Sequence, residues 1–397
     1  MREPRPITRI EVSEGNKKLR IVLIIVLLVI GAVSLTAGIM SLLNKDTGWQ
    51  AVEVPSAEPN GSSEFIFQYN FTGTGAQATA LHKQISAVYT EGLTKTYQVF
   101  KSEEAASGNL ADVNAHVNEA VTVDPLLYTA FQKLQDTRYH YLAPVYAHYD
   151  NVIFSTSEEY LEEVDPRVSK DAKAHVAQIA AFAADEAAIR LELLENNQVK
   201  LYVSQEYLEF ARENEIVKFV DLHYMANAFI IDYLADTMEQ NGFTRGFLVS
   251  TDGYTRNLDS TEIYSMSLFD RVGDTVYPAG VMHYRGPVSM VLLKDYPVNS
   301  TDTFYRASGD HVVFPYADPA DGMYKASTPT LLSYSYAMGC ADVLLKMLPS
   351  FTGEEFVVPE GIASVWCENR TIWYNDAEIT IDRLLDKDGI RYTAQKQ

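Results

Sequence analysis

The residues with the clearest potential for chemistry lie in the segment VDLHYMANAFIIDYLAD, residues 220–236. Its pattern predicts a strand that passes into a helix at the small residues 225–228. A helix that starts at such a corner has unpaired N–H groups, which favour an anionic ligand. Corners of this kind often also carry a lysine or a glycine-rich loop, and this one has neither. The segment therefore indicates an anion site that either never existed or has been lost.

Outside this segment, the sequence carries no specific catalytic motif. The eight histidines are scattered, and there is no HExxH, G-x-S-x-G or P-loop pattern. The two cysteines, Cys340 and Cys367, do not form a CxxC pair, so a zinc site is unsupported. In an oxidising compartment they either form a disulfide or remain two separate buried thiols.

Residues 21–43 form an uninterrupted apolar run without a charged side chain. As a helix this run would extend about 34 Å, enough to cross a hydrocarbon core of about 30 Å. Six basic residues precede it, and only Lys45 follows closely. The positive-inside rule then places residues 1–20 in the cytoplasm and the rest of the chain outside. The sequence predicts a single-pass cell-membrane protein, with cleavage as a signal peptide near residues 37–38 as the alternative.

The exported part is strongly acidic. Residues 1–45 carry seven basic and three acidic side chains, a net +4, and the whole chain carries −21, so the remainder carries −25. Such a surface makes nucleic acid and anionic lipid poor partners. The favoured explanation for this charge is solubility outside the cell.

The periodicity of the sequence predicts the elements that position these residues. Residues 44–63 are polar, with prolines and glycines, and are predicted to be a linker that lifts the domain off the membrane. The remainder, 64–397, is predicted to be one mixed α+β domain. Strands are predicted at 65–71, 189–203 (a hairpin), 245–250, 261–270, 276–284, 287–294, 331–336 and 361–374 (a pair), and helices at 77–100, from Asp124-Pro125 to 136, at 169–187 and at 338–348.

Four stretches, in order, resemble the FAD:protein FMN transferases, the ApbE-like family. Residues 109–136 are similar to the family's asparagine segment and following helix, and 220–253 to its Asp-Leu-Gly…Ala-Lys-Gly-Tyr…Asp core. VSMVLLKDY (288–296) resembles its Ser…Thr-Ser-Gly-Asp-Tyr strand. Residues 314–322 and 331–348 resemble its His-Ile-Ile-Asp-Pro-x-Thr-Gly turn and its Ala-Asp-Ala-Leu-Ser-Thr helix.

The resemblance implies an exported, Mg²⁺-dependent protein that binds FAD and transfers FMN to a threonine or serine of a partner. It implies that FAD and Mg²⁺ are the cofactors. The positions that match the family's flavin site are Asp221, Asn227, Phe229, Asp252, Gly253, Asp295, Tyr296 and Asp318. Asp342 matches the family's metal-binding aspartate.

Several of these positions depart from the family pattern. Asn227-Ala228 stands where the family has Lys-Gly, and Pro315 where it has histidine. Asp252 replaces a ligand-facing glycine, and its carboxylate would repel a pyrophosphate at short range. Residues 292–294 replace the family's Thr-Ser-Gly. These losses favour a site that no longer performs the family's chemistry.

The metal position departs as well. The family binds Mg²⁺ with an aspartate and a threonine at i and i+4, which share one helix face. Here Lys346 takes the i+4 position from Asp342. An ammonium cannot ligate Mg²⁺, so Lys346 either pairs with Asp342 in place of the metal or points to solvent.

Three hypotheses follow. The first is a membrane-anchored ApbE-like domain without transferase activity that serves as a scaffold or binds an unidentified protein partner. The second is a flavin-binding module in which Phe229, Tyr296 and Tyr316 stack on the ligand. The third is an active Mg²⁺-dependent transferase with a rebuilt acidic metal site of Asp252, Asp318 and Asp342.

Overall fold

The computed structural model describes residues 47–54, 61–73, 75–273, 275–298, 304–308, 311–385 and 388–397. The strands are β1 Gly48–Ala51, β2 Phe65–Phe71, β3 Ala120–Thr122, β4 Ile189–Leu193, β5 Gln198–Val203, β6 Gly246–Ser250, β7 Tyr254–Asn257, β8 Ile263–Val272, β9 Thr275–Arg285, β10 Val288–Lys294, β11 Arg306–Ser308, β12 His311–Val313, β13 Thr330–Ser335, β14 Ala363–Glu368, β15 Thr371–Tyr374, β16 Thr380–Arg383 and β17 Thr393–Lys396. The α-helices are α1 Gly75–Phe100, α2 Leu110–Ala115, α3 Pro125–Leu134, α4 Ala143–Ala147, α5 Leu161–Val164, α6 Lys170–Ala184, α7 Gln205–Glu213, α8 Ala226–Gln240 and α9 Cys340–Thr352.

The largest sheet in the described residues has nine strands, in the order β1-β2-β6-β7-β10-β13-β14-β15-β17. Its pairs are antiparallel except for β15 with β17. Alternation in β2 buries Phe65, Phe67, Tyr69 and Phe71 on one face of this sheet. Helices α1, α8 and α9 cover that face and form the larger hydrophobic core with it.

The opposite face of the large sheet is covered only in part. The three-stranded sheet β16-β9-β8 packs on β10, β13, β14 and β15, and together they form a second, smaller core. No residue of β1, β2 or β6 belongs to this second core. At this end of the outer face Tyr264 of β8 contacts the rings of Trp49 and Phe247, while Trp49 and Ile66 remain about half exposed.

Most of the predicted elements are confirmed, and so is the mixed character of the fold. The hairpin predicted over 189–203 turns through Asn196 and Asn197, both with positive φ. The helix predicted at Asp124-Pro125 begins there, with the Asp124 side chain accepting from Leu126 N at 2.8 Å. Cys340 and Cys367 are two separate buried thiols.

The strand predicted at the start of 220–236 is wrong. Residues 220–222 form no strand, and a 3₁₀ turn at His223–Met225 leads directly into α8. The Asn114 side chain holds this segment in place of a neighbouring strand. Its Oδ1 accepts from Phe219 N and Val220 N, and its Nδ2 donates to Val220 O at 2.8 Å. The apolar pattern reflects burial, while a side chain supplies the backbone's partners.

The predicted linker over 44–63 is interrupted by β1. Gly48–Ala51 pairs with β2 as the edge strand of the large sheet, with Trp49 opposite Asn70. The predicted membrane-spanning helix, residues 21–43, lies outside the described residues. Among the helices that are described, none is long and apolar enough to cross a bilayer.

One buried carboxylate joins three elements around the larger core. Asp232 of α8 accepts from Cys340 N (2.7 Å) and Ala341 N (2.9 Å), so it caps α9. It also lies 2.7 Å from the Arg256 guanidinium of β7, and both side chains are mostly buried. A Cβ at Gly339 would meet the Asp232 carboxylate at 2.3 Å, so only glycine allows this approach.

We expect Asp232→Ala to lower the free energy of unfolding by about 3–5 kcal/mol, because it removes the buried partner of Arg256, which keeps only the more exposed Asp236 and Glu239, and it uncaps α9. Urea unfolding of residues 47–397, which contain both cores, measures this. The control is Asp236→Asn on the same helix, where the ion pair with Arg256 is exposed. Equal effects of the two substitutions would contradict the role given to Asp232.

Candidate functional site

A cleft of about 340 Å³ lies where the end of α1, the segment before α8 and the turn between β6 and β7 meet. Its volume lies at the lower end of the range of small-molecule sites. The residues that line it are Gly61, Glu64, Phe65, Tyr97, Phe100, Lys101, Ser102, Glu103, Asp150, Lys218, Asp221, His223, Tyr224, Ala226, Asn227, Ile230, Asp252 and Phe304. Three sequence-predicted positions are among them: Asp221, Asn227 and Asp252.

Asn227 is the centre of a polar group in this cleft. It lies in the first turn of α8, and its Nδ2 donates to Glu64 Oε2 (2.9 Å) and to Asp252 Oδ2 (3.0 Å). Glu64 directly precedes β2, and Asp252 lies in the turn that follows β6. One neutral amide therefore bridges two carboxyl groups brought together by three separate elements.

The surroundings of Asp252 disfavour its charged form. Burial raises the pKa of Asp252 to about 7, and the neighbouring Glu64 carboxylate contributes to the increase. The hydrogen bond from Asn227 acts in the opposite direction. Asp252 therefore changes its charge near neutral pH.

The cations of the cleft are already paired. Lys218 Nζ lies 3.0 Å from Glu103 Oε1 and 3.9 Å from Asp221 Oδ2. Lys101 Nζ lies 2.6 Å from Glu104 Oε2. Five carboxyl groups and two lysines line the cleft. The cleft therefore offers an anion little favourable potential.

His223 occupies the corner of the cleft in a strained conformation. Its φ is 45°, which is uncommon for a residue with a side chain. Its ring stacks on Tyr146 at 4.6 Å, and Nε2 lies 3.1 Å from Asp150 Oδ1. Its Nδ1 is buried and has no hydrogen-bond partner among the described residues. The backbone N–H of His223 donates to Asp221 Oδ1, which fixes the turn.

The other predicted flavin positions lie outside the cleft lining. Phe229 is buried and packs 6.3 Å from Phe100, and Gly253 forms a tight turn against Leu292 O. Asp295 pairs with Arg271 at 2.6 Å, and Tyr296 is buried beside it. Burial raises the pKa of Asp295 to about 6 despite that pair.

The stacking set of Phe229, Tyr296 and Tyr316 is also not assembled at the cleft. All three rings are buried, and Tyr316 packs between Tyr224 and Phe351 in the core. The rings that do line the cleft are Phe65, Tyr97, Phe100, Tyr224 and Phe304.

The residues present at Asp342 do not fit a magnesium ion. Lys133 Nζ of α3 lies 2.7 Å from both Asp342 Oδ1 and Oδ2. Lys346 is exposed and makes no ion pair with Asp342, so the proposed pair between them is wrong and the solvent alternative holds. An ammonium occupies both carboxylate oxygens, and no side-chain oxygen stands at the i+4 position.

The rebuilt acidic site of Asp252, Asp318 and Asp342 is not assembled either. Each of these carboxyl groups has a different partner. Among described residues, the carboxylates close enough to share an ion are Asp318, Asp321 and Glu354. Lys325 Nζ lies within 3.0 Å of an oxygen of each, so a cation of the chain itself already neutralises this group.

Several cleft residues escaped the sequence analysis, among them Glu64, Phe100, Lys218 and His223. Glu64 stands directly before the first predicted strand, and Phe100 ends the first predicted helix. Functional side chains concentrate at such element ends, which is the one signal the sequence offered.

No protein-family model matches this sequence, and no curated protein matches it. Solved structures do match. The ApbE protein of Thermotoga maritima has a TM-score of 0.53 and 14% identity, over 80% of this chain and 93% of that one. The flavin transferase ApbE of Vibrio cholerae has a TM-score of 0.50 and 12% identity, over 85% of this chain and 97% of that one.

The comparison defines the class of fold: this is a mixed α/β chain with the ApbE fold. The resemblance inferred from the four sequence stretches is thereby confirmed at the level of the fold. At 14% and 12% identity the similarity supports the fold alone. Any activity has to be argued from the residues of this chain.

The raised pKa of Asp252 predicts a pH dependence of stability. The folded chain holds this proton up to about pH 7, whereas an unfolded chain loses it near pH 4. Stability from Asp252 is thus complete below pH 4 and is lost as the pH rises through 7. We expect Asp252→Asn to gain about 1–3 kcal/mol over the parent chain between pH 4 and 8. Urea unfolding across this range tests it, with Asp136→Asn as a surface control; parallel profiles would contradict the shift.

The ion pair between Lys133 and Asp342 predicts how the chain responds to added Mn²⁺. The parent chain should not bind Mn²⁺ at Asp342, and Lys133→Met combined with Lys346→Thr should create a detectable site by freeing two oxygens and adding a third. Electron paramagnetic resonance of added Mn²⁺ measures this. Adding Asp342→Asn should abolish the new signal. Mn²⁺ binding by the parent chain that Asp342→Asn removes would refute the interpretation.

Proposed function

We propose that this protein is a membrane-anchored, extracytoplasmic ApbE-fold protein that does not transfer FMN and acts by binding a protein partner. The anchor is the predicted helix 21–43, supported by its length, its lack of charge and the basic residues before it. The folded domain would then lie outside the cell membrane.

The observation that carries the proposal is the Glu64–Asn227–Asp252 group. Where the family resemblance expects a lysine and a glycine near the flavin's phosphates, this chain has an amide and a carboxyl group. A pyrophosphate placed here would face two carboxyl groups and no unpaired cation from the cleft lining. The Glu64 carboxylate would repel the pyrophosphate at short range, and Asp252, whose pKa is raised to about 7, would repel it whenever ionised.

The metal position supports the same conclusion. In phosphoryl transfer a divalent ion stabilises developing charge and is worth several kcal/mol, so its loss costs orders of magnitude in rate. The Lys133 ammonium neutralises Asp342 but offers no empty coordination position to a phosphate oxygen. The residues present therefore supply neither the electrostatic nor the ligand requirements of the transferase reaction.

A second candidate function is the binding of an aromatic ligand without phosphates. The rings of Phe65, Tyr97, Phe100 and Tyr224 line the cleft and would pack on a planar ring system. Its volume of about 340 Å³ is sufficient for a small ring ligand. Riboflavin would test this, since it carries the isoalloxazine ring but no phosphate.

We expect the purified full chain, in detergent, to release no AMP from FAD with or without Mg²⁺. Chromatography of the products measures this, with the Vibrio cholerae flavin transferase ApbE as a positive control. We also expect FAD to bind at least roughly tenfold more tightly to the double variant Asn227→Lys, Asp252→Gly than to the parent chain, because one change adds a cation and the other removes a like charge.

Flavin fluorescence measures that binding, and Asp136→Asn is the matched surface control. Mg²⁺-dependent AMP release by the parent chain would overturn the proposal. Riboflavin binding without AMP release would select the second candidate instead.

A further inference from the structure

We propose that the partly exposed end of the large sheet rests on the lipid bilayer to which the chain is anchored. The surface concerned, called here the open face, consists of the outward side chains of Trp49, Ile66, Phe247 and Val249 on β1, β2 and β6. This inference rests on the membrane anchor of the proposed function and is independent of whether the cleft binds flavin.

The strand register places these side chains on one face. Ile66 lies opposite Val249, and Trp49 lies opposite Asn70, which is four residues further along β2 and on the same face. The amide side chains of Gln68 and Asn70 share this face. Trp49 is 41% exposed and Ile66 is 50% exposed. Trp49 contacts Phe247 at 5.6 Å, and neither ring belongs to one of the two cores. Tyr264 of β8 packs on the rings of Trp49 and Phe247, at 6.1 and 5.9 Å between ring centroids, and Trp49 and Ile66 remain about half exposed.

The open face also differs from the rest of the surface in charge. The strands β1, β2 and β6 contain no Asp, Glu, Lys or Arg, although the chain after residue 45 carries −25. Exposed edge strands normally carry charged side chains or proline to prevent pairing with other chains. The edge strand β1, with the sequence GWQA, has neither. Within the described residues, this edge is therefore suited to contact with another surface.

The position of β1 in the chain identifies that surface. The predicted membrane helix ends at Leu43, and β1 begins at Gly48. Fully extended, the five intervening steps reach at most roughly 17 Å. The open face therefore cannot move far from the bilayer, which stays at a high effective concentration. Tryptophan is favoured at the membrane interface, and Trp49 is the second residue of β1.

Because the face is uncharged, the acidity of the domain does not oppose this contact with zwitterionic lipid. Contact with acidic lipid would be disfavoured by the charge of the surrounding surface. The expected partner is thus a neutral bilayer surface. The linker predicted to lift the domain off the membrane is too short for that role once β1 joins the sheet.

Tryptophan fluorescence provides the test, because the chain has three tryptophans. The full chain is reconstituted into phosphatidylcholine vesicles with or without brominated acyl chains. We expect brominated lipid to cause roughly a twofold loss of the Trp49 emission. Trp49→Phe should remove this loss. Trp366→Phe and Trp373→Phe, on β14 and β15 at the other end of the sheet, should retain it.

A charge placed on the open face separates true contact from mere proximity. Ile66→Asp leaves Trp49 and the tether intact but makes the face unfavourable for lipid, so quenching should fall towards that of Trp49→Phe. Gln68→Asn, a mild polar change on the same strand, should leave it unchanged. Circular dichroism confirms that the variants are folded.

The outcomes separate this inference from the anchor itself. Failure of the chain to float with vesicles would overturn both. Flotation without quenching of Trp49 would overturn only the contact of the open face with lipid. Flotation without quenching, together with crosslinked dimers through β1, would assign the open face to a second copy of the chain.

Discussion

The fold depends on one carboxylate placed between three elements. Asp232 links helix α8 to β7 through Arg256 and to α9 through the first N–H groups of that helix. Because α8 also carries Asn227 one and a half turns earlier, the contact that fixes the core also fixes the floor of the cleft. Asn227 itself makes none of these contacts, so they do not depend on which residue occupies the first turn of α8. That independence explains how the fold can persist while the polar groups of the cleft depart from the family pattern.

A second constraint is the neutralisation of acidic groups by the chain's own lysines. Lys133 forms an ion pair with Asp342, and Lys325 forms ion pairs with Asp318, Asp321 and Glu354. In each case an ammonium occupies the position in which a divalent ion would find its ligands. A covalently attached cation provides charge balance at any metal concentration, but it lacks empty coordination positions. The arrangement balances the charge of these acidic groups from within the chain.

Periodic elements could be predicted from the sequence, because alternation and helical spacing record which face of each element is buried. The order of the ApbE-like stretches could also be predicted, since it follows those elements. Long-range partners of individual side chains could not be predicted. Lys133 reaches Asp342 across 209 positions, whereas local spacing pointed to Lys346. The pattern at the start of 220–236 indicated a strand, because no pattern reveals that Asn114 supplies the hydrogen bonds of this segment. Glu64, at the end of an element, had no local feature that linked it to Asn227.

The arrangement of the large sheet has a consequence for how the chain folds. Synthesis delivers β1 and β2 first, but the strand that flanks β2 on its other side, β6, begins only at Gly246. Until then β1 and β2 form a two-stranded hairpin that lacks its neighbouring strand, and α1 is the first helix available to cover its inner face. Closing the sheet requires a contact between distant parts of the chain, and such contacts form slowly. The first strands to emerge are therefore among the last to be secured, and their apolar side chains are exposed to aggregation throughout that interval.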